Sequence, residues 1–321
     1  MSPRLLPTVF VDHRFPDAYR DLVDGRAVLV GLGSDEGLDT ADALLVGATR
    51  RWDATAFAHA PMAKVISRVG VGYDNVDVDA AVRAGITVCN TPFGPTVSTA
   101  EHTMALLLAT TKQLMREAGR AREGLKAEPV GRAMELDGRT LGLVGFGRIA
   151  SRVAVAAQAL GMRVLAADPL VTEPGVAGVT MVDFDELLAS SDVVSIHAPA
   201  IPSTHHLFDD SAFERMKSGS YLVNCARGSL VDHDALIATL NSGHLSGAGL
   251  DVTEPEPLPA GHPLLRRHDV IVTPHVASST VAGRRRLYEH SIANALAVLS
   301  GRPADVVAAP GQPTTHKDVQ P

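Results

Sequence analysis

One continuous stretch constrains this chain more than any other. "TLGLVGFGRIASRVAVAAQALGMRVLAADP", Thr140 to Pro169, reads as a strand, a glycine turn, a helix and a second strand closed by an acid. Gly145, Gly147 and Ala150 form a G-x-G-x-x-A turn, with Gly142 just upstream. The first glycine permits a sharp turn and the second lets the backbone approach a pyrophosphate. The third position only has to be small, so that helix and strand can pack, and alanine meets that need. Phosphates at such a turn face the free N–H groups and positive dipole end of the helix that starts near Arg148. Asp168 ends the second strand, where an acid can accept hydrogen bonds from ribose hydroxyls. Pro169 and Leu170 follow it rather than a cation, which favours NAD over its 2′-phosphorylated relative. The bland alternative is a glycine turn that binds nothing; a strand before it, a helix after it and an acid at the right distance argue against that.

The rest of the chain repeats the same rhythm. "TVFVDH", "AVLVGLG", "DALLVG", "KVISRVG" and "ITVCN" read as strands, with a helical segment at Asp77 to Ala84. From Thr140 the alternation restarts with "LGLVGFG", "RVLAAD", "DVVSIHA", "SYLVNCA", "LSGAGLDV" and "DVIVTPH". Strands alternating with helices at this spacing predict parallel sheets with right-handed crossovers, here as two α/β units. Between the units lies the helical stretch "STAEHTMALLLATTKQLMREAGRAREG", in which Ser98 and Glu101 have capping-box spacing. A second long helix is expected from near Ser279 or Thr280, with Gly301 placed to end it.

Composition excludes several function classes. With 321 residues there is material for two cores, and a net charge of −7 disfavours broad attraction to nucleic acid or to anionic membranes. No long uncharged apolar run appears, and "MSPRLLPTVF" lacks a signal-peptide core. Cys89 and Cys225 cannot build a disulfide framework and suit a reducing compartment, so a cytoplasmic protein is expected. No metal is expected.

A nicotinamide needs a partner that loses or gains hydride, and for an alcohol donor the site needs a base for the hydroxyl proton, a cation for any carboxylate, and a group that tunes the base. "VNCARGSLVD", "GLDVTEPEP" and "VTPHVASST" place Arg227, Glu256 and His275 just beyond three strands. Ligands of open parallel sheets bind outside those carboxyl ends. Each residue alone is weak: an arginine, a loop glutamate and one of 13 histidines are ordinary surface groups. Cys225 raises the rival idea of a thiol nucleophile, against a plain small buried residue. His102, His205, His206 and His262 are read as structural or surface residues.

The segments "SRVGVGYDNVDVDAAVRAGITVCNTP", "STAEHT", "LGLVGFGRIA", "VVSIHAPAIPSTHHLF", "NCARGSLVD", "GAGLDVTEPEPLP" and "VTPHVASST" resemble the D-isomer-specific 2-hydroxyacid dehydrogenases, phosphoglycerate dehydrogenase-like, from about Asp42 to Ser300. That resemblance implies two Rossmann-like doubly wound domains, with the NAD domain inserted into a discontinuous substrate domain. On this chain the substrate domain would take residues 1–98 plus 281–303 and the NAD domain 99–280, leaving 304–321 as a flexible tail. The family triad falls on Arg227, Glu256 and His275, with Val71 and Gly72 as the carboxylate-holding loop beside Arg227 and His275. Matching motif positions imply coenzyme contacts at Thr99, Gly145, Gly147, Arg148, Ile149, Asp168, His197, Pro199, Cys225, Ala226, Arg227, Asp251 and His275. Asp251 is the expected acceptor for the nicotinamide carboxamide.

The implied activity is NAD-dependent interconversion of a D-2-hydroxy acid and its 2-keto acid by a homodimer, with contacts along the helix from Ser98. The alternative is an NAD-sensing scaffold or corepressor on the same fold, which retains the triad. One departure concerns substrate. Phosphoglycerate-oxidising members carry an arginine where "LLVGATRR" has Gly47, with Arg50 and Arg51 close by as alternative cations.

Overall fold

The computed structural model describes residues 6–126, 128, 133–302 and 304–311. The chain divides into two compact units: one runs to Thr96 and resumes at Ser279, and the other is Val97–Ser278.

The first unit has strands β1 (Thr8–Val11), β2 (Val28–Gly31), β3 (Ala43–Val46), β4 (Val65–Arg68) and β5 (Thr87–Cys89), with helices α1 (Ala54–Ala58) and α2 (Val78–Arg83) between them. These strands are parallel, in the order β2-β1-β3-β4-β5. Strand side chains alternate faces, and the two apolar clusters of this unit follow that period. Phe10, Leu44, Ile66 and Val88 meet Trp52, Phe57 and Ala81 on one face. Val9, Val11, Leu45, Val65 and Cys89 form the other cluster with residues of the late long helix.

The second unit opens with α3 (Thr96–Thr111) and α4 (Leu114–Arg122). Its strands are β6 (Thr140–Val144), β7 (Arg163–Ala167), β8 (Val179–Met181), β9 (Val193–Ile196), β10 (Ser220–Asn224), β11 (Leu245–Leu250) and β12 (Val270–Val272). Helices α5 (Arg148–Ala159), α6 (Phe184–Ser190), α7 (Asp210–Arg215) and α8 (His233–Ser242) connect them. The parallel order β8-β7-β6-β9-β10-β11-β12 reverses direction between β6 and β9. That reversal is the topological switch point at which open α/β sheets bind ligands. α3 and α5 cover one face and α6, α7 and α8 the other, each with its own apolar cluster. The glycines of "SGAGL" answer to this covering: a Cβ on Gly249 would lie 2.9 Å from Thr110 Oγ1 and 3.1 Å from Leu106 Cβ. α3 can press that closely on β11 only because the strand lacks side chains there.

The chain then enters α9 (Val281–Leu299) and ends its described part with β13 (Val306–Ala308). Thr280 caps α9 by accepting from Gly283 N at 2.9 Å, and Gly301 leaves it at φ +67°. Within the segment expected as a flexible tail, β13 pairs antiparallel with β5, and Ala308 is buried. Residues 312–321 of that tail lie outside the described residues.

Two helix expectations are corrected. α3 starts at Thr96, directly after the Gly94-Pro95 turn, so Ser98 lies inside the first turn, buried, rather than capping it. A proline at a helix start is pre-set for the turn and loses no hydrogen bond. The long helical segment also breaks at Gln113, which adopts φ +51°, giving α3 and α4. Leu106 and Leu107 are buried in the unit's own cluster, so the "MALLLA" run is largely satisfied within one chain. Among the described residues no helix is long and apolar enough to cross a membrane.

Candidate active site

The glycine turn lies between β6 and α5, at the switch point. Gly145 has φ +86°, and a Cβ there would sit 2.7 Å from Ala198 N and 2.8 Å from the His197 carbonyl carbon. The first glycine is therefore demanded twice, by its left-handed backbone and by the β9 chain passing against it. Gly147 is the N-cap of the 12-residue α5 and supplies no side-chain cap. The helix N-terminus keeps donors for an anion. Ala150 is fully buried against the sheet, so a small third residue is what the packing requires.

Asp168 Oδ2 accepts from Phe146 N inside the turn at 2.8 Å, and Oδ1 accepts from Leu170 N at 2.8 Å. The acid thus ties the turn to the end of β7. Each oxygen keeps a second lone pair for an added hydroxyl. An uncapped helix start, a turn whose Gly145 and Gly147 carry no side chains while Phe146 is buried in the core, and an acid at the neighbouring strand end together fit a dinucleotide. Arg148 and Ile149 form the first turn of α5, both partly exposed.

At the other side of the switch point, β10, β11 and β12 end in the three expected catalytic residues. His275 Nδ1 and Glu256 Oε1 are 2.7 Å apart. Burial alone would raise the Glu256 carboxyl. The His275 hydrogen bond and charge, a Thr253 backbone bond and the Arg227 charge outweigh it and hold its pKa below the usual carboxylate value. An ionised carboxylate only accepts hydrogen bonds, so the proton of neutral His275 resides on Nδ1 and Nε2 carries the lone pair. Arg227 follows β10, and its guanidinium donates to Ala226 O at 2.7 Å. Gly228 next to it runs so close to Thr253 and Glu254 that a Cβ would collide with their backbone. That contact keys the Arg227 turn to the Glu256 loop.

His275 adopts φ +52°, an uncommon backbone state for a residue with a Cβ. Asp251 supplies the hold. Its carbonyl accepts from His275 N at 2.8 Å. Its carboxylate accepts from Thr273 Oγ1 at 2.6 Å, Val276 N at 2.9 Å and Ala277 N at 2.8 Å. His102 Nε2 lies 3.3 Å from the same carboxylate and 3.1 Å from Thr273 Oγ1. This buried acid builds the turn that presents His275, and its Oδ2, which takes the Ala277 N–H, keeps a second lone pair for a carboxamide donor.

His102, read from sequence as a structural or surface residue, is structural, and its partners are what the sequence did not show. It reaches Thr273 across 171 residues, a pairing without any local pattern.

Other expected coenzyme residues separate into groups. His197 is buried, with Nε2 3.0 Å from Ser195 Oγ, and burial pushes its pKa down to about 4. Its ring is a neutral group, buried at the end of β9. Thr99 is buried, and its carbonyl accepts from Thr103 Oγ1 at 2.8 Å. Pro199 and Ala226 are partly exposed at the ends of β9 and β10. Burial pushes the Cys225 thiol up to about 12, with Asp251 adding to the effect and a Thr103 hydrogen bond opposing it. A thiol so held is no nucleophile near neutral pH, which removes the rival idea.

In the first unit, Asn90 Nδ2 fixes the Val71 carbonyl at 2.8 Å, and Val71 and Gly72 are half-exposed. Gly47 N donates to Asp12 Oδ1 at 2.8 Å. Arg50 pairs with Asp35 and lies 4.6 Å over the Trp52 ring.

Residues 104–277 match the family model described as "D-isomer specific 2-hydroxyacid dehydrogenase, NAD binding domain". A D-3-phosphoglycerate dehydrogenase of Archaeoglobus fulgidus is 42% identical over 241 residues, covering 74% of this chain and 46% of that protein. The chain thus spans about half the length of that relative. A glyoxylate reductase of Korarchaeum cryptofilum is 39% identical across 92% of this chain and 93% of its own. Among solved structures, a D-lactate dehydrogenase of Aquifex aeolicus, complexed with NAD and lactic acid, superposes with a TM-score of 0.83. It is 31% identical and covers 92% of this chain and 96% of that one.

Proposed function

The chain belongs to the D-isomer specific 2-hydroxyacid dehydrogenase family, and from that membership we propose that it interconverts a D-2-hydroxy acid and its 2-keto acid with NAD. The observation that carries this reading is the 2.7 Å His275–Glu256 pair, built into the same unit as the dinucleotide turn.

When bound, NAD supplies the acceptor, and NADH the donor, of the hydride at the substrate's second carbon. Gly145, Gly147, Arg148 and Ile149 would hold its pyrophosphate and Asp168 its ribose, with Thr99, His197, Pro199, Cys225 and Ala226 as further neighbours and Asp251 as acceptor for the carboxamide. His275 Nε2 takes the hydroxyl proton during oxidation and returns it to the carbonyl oxygen during reduction. Ionised Glu256 keeps Nδ1–H in place throughout and stabilises the imidazolium once it forms. Arg227 orients carboxylate and carbonyl through its planar fork. Val71 and Gly72 stay in the reading as backbone donors to the carboxylate.

Gly47 and Arg50 support a substrate class, with exposed Arg51 the remaining nearby cation. The first has no side chain to bind a phosphate, and the second is committed to Asp35 and Trp52. An unphosphorylated 2-keto acid fits better than a phosphorylated one. A homodimer belongs to the same reading, supported by the adjacent exposed Leu114 and Met115 on α4. So does a cytoplasmic setting, supported by two free cysteines.

Mixing the protein with NADH and a panel of 2-keto acids, phosphorylated and not, while following nicotinamide absorbance, tests the activity. The expected result is consumption with unphosphorylated acids. Tight NADH binding with no consumption of any acid would point to the scaffold alternative instead.

A further inference from the structure

We propose that His205, His206 and Glu254 form a binding site for a divalent transition-metal ion of the zinc type. His205 and His206 lie on the connection between β9 and α7, and Glu254 on the connection after β11. One ligand atom from each falls within a mutual 4.8 Å. His206 Nε2 is 3.4 Å and His205 Nε2 3.9 Å from the same carboxylate oxygen.

These separations are too long for charge-assisted hydrogen bonds, which run at about 2.7–2.9 Å. They suit an intervening ion. Ligands at about 2.0–2.1 Å on a tetrahedral zinc stand roughly 3.4 Å apart. The His206–Glu254 separation already meets that edge, whereas His205 stands about half an ångström beyond it and must also rotate its ring to aim Nε2 at the same point.

The backbone supports the same conclusion. His206 adopts φ +49°, a conformation a histidine seldom takes, and its N–H is tied to Ser229 O at 2.8 Å. Its ring stacks on that of His205 at a centroid distance of 4.0 Å and a tilt of 24°, so the in-plane lone pairs do not converge as the rings stand, and the more exposed His205 must turn out of the stack to share an ion. Asp232 Oδ2 lies 3.6 Å from His206 Nδ1, on the side away from the proposed ion. At that distance it makes no hydrogen bond, but its negative charge beside the ring favours a cation at the cluster. Two imidazoles and one carboxylate select zinc, nickel or copper over magnesium and calcium, which demand oxygen donors. All three ligands are partly exposed, leaving a fourth position to water. Bound metal would staple the β9 connection to the loop that carries Glu256.

Isothermal titration of the untagged, chelator-stripped protein with zinc chloride tests the site without reference to catalysis. One zinc per chain is expected, and magnesium chloride should give no heat. Outer carboxylates alone are worth about 10- to 100-fold in metal affinity, so the His205→Ala/His206→Ala double variant should weaken zinc binding by at least that factor. Glu254→Gln, a smaller change, should weaken it less. Circular dichroism of the metal-free variants checks that they fold. Undiminished zinc binding by both folded variants, or none by the wild type, would overturn the proposal.

Discussion

The two sides of the seven-stranded sheet make their sites from different materials. At the β6–β7 side the site is mainly backbone: a glycine turn against which β9 presses, an uncapped helix start, and Asp168 binding the turn itself. At the β11–β12 side it is a chain of side chains, His102, Thr273, Asp251, His275 and Glu256, that hold one another. A backbone-built site tolerates change wherever the residue stays small and the chain path survives. A side-chain network fails when any member loses its partner, because the survivor is left unsatisfied.

The strongest test of that contrast is at the head of the network. His275→Gln keeps a polar side chain but removes the imidazole acid–base group. Turnover should fall by about two to four orders of magnitude, the usual range for a lost general acid–base group. Coenzyme binding should survive, because the turn at Gly145 lies at the other side. Fluorescence titration with NADH alongside steady-state rates would separate the two. Loss of NADH binding would mean that the sides are not independent.

Asp251 and Asp168 form the next pair. Asp251→Ala leaves the Val276 and Ala277 N–H groups and the Thr273 hydroxyl without their shared acceptor in a buried place. The cost should be roughly 3 kcal/mol, the sum expected for buried donors left unmade. Asp168→Ala frees the Phe146 and Leu170 N–H groups, which are partly buried and exposed respectively. Water can replace that acceptor, so the loss should stay within about 1 kcal/mol. Urea unfolding midpoints of the two variants would rank them. Equal losses would remove the distinction drawn here.

Between the two sides stands β9, whose end carries buried His197. Its pKa in the fold, about 4, lies below the ordinary 6.5. Between those values the unfolded chain binds the proton and the folded chain does not, so stability rises with pH. The contribution is complete above pH 6.5 and is lost as pH falls toward 4. At 1.36 kcal/mol per tenfold, it amounts to roughly 3 kcal/mol. His197→Asn should flatten the stability–pH curve across that window in urea melts. An unchanged slope would assign the acid sensitivity to other groups.

The same contrast explains what the sequence could disclose. The turn, its helix and Asp168 are contiguous, so their chemistry is written locally, and each of the quoted strand segments contains a strand. β8 and β13 sit beside glycine and proline, in "EPGVAGVTM" and "DVVAAPGQP", and so read as loop, whereas the equally short β5 and β12 stand in cleaner apolar runs. The break at Gln113 was hidden because its neighbours keep helical composition, and the conformation belongs to one residue. Arg227, Glu256 and His275 could be found as strand-end residues. Their support could not: Asp251 looks from sequence like one more strand-end acid, and its true partners come from β12's end and from α3. The clustering of His205 and His206 with Glu254 was unreadable for the same reason, since 48 residues separate His206 from the glutamate.

The smallest effect on coenzyme binding is expected from Ala150→Gly, where the turn departs from an all-glycine pattern. The side chain is fully buried against the sheet, so what matters there is volume, not backbone freedom. Ala150→Gly removes one methyl and loosens the first turn of α5. It should cost about 1 kcal/mol through helix propensity and leave NADH affinity nearly unchanged. Ala150→Val adds bulk where helix and strand already touch, and should cost about 1–3 kcal/mol by overpacking. If glycine instead tightened NADH binding strongly, the third position would contribute to the coenzyme through its backbone, and this side of the sheet would depend on more than fit.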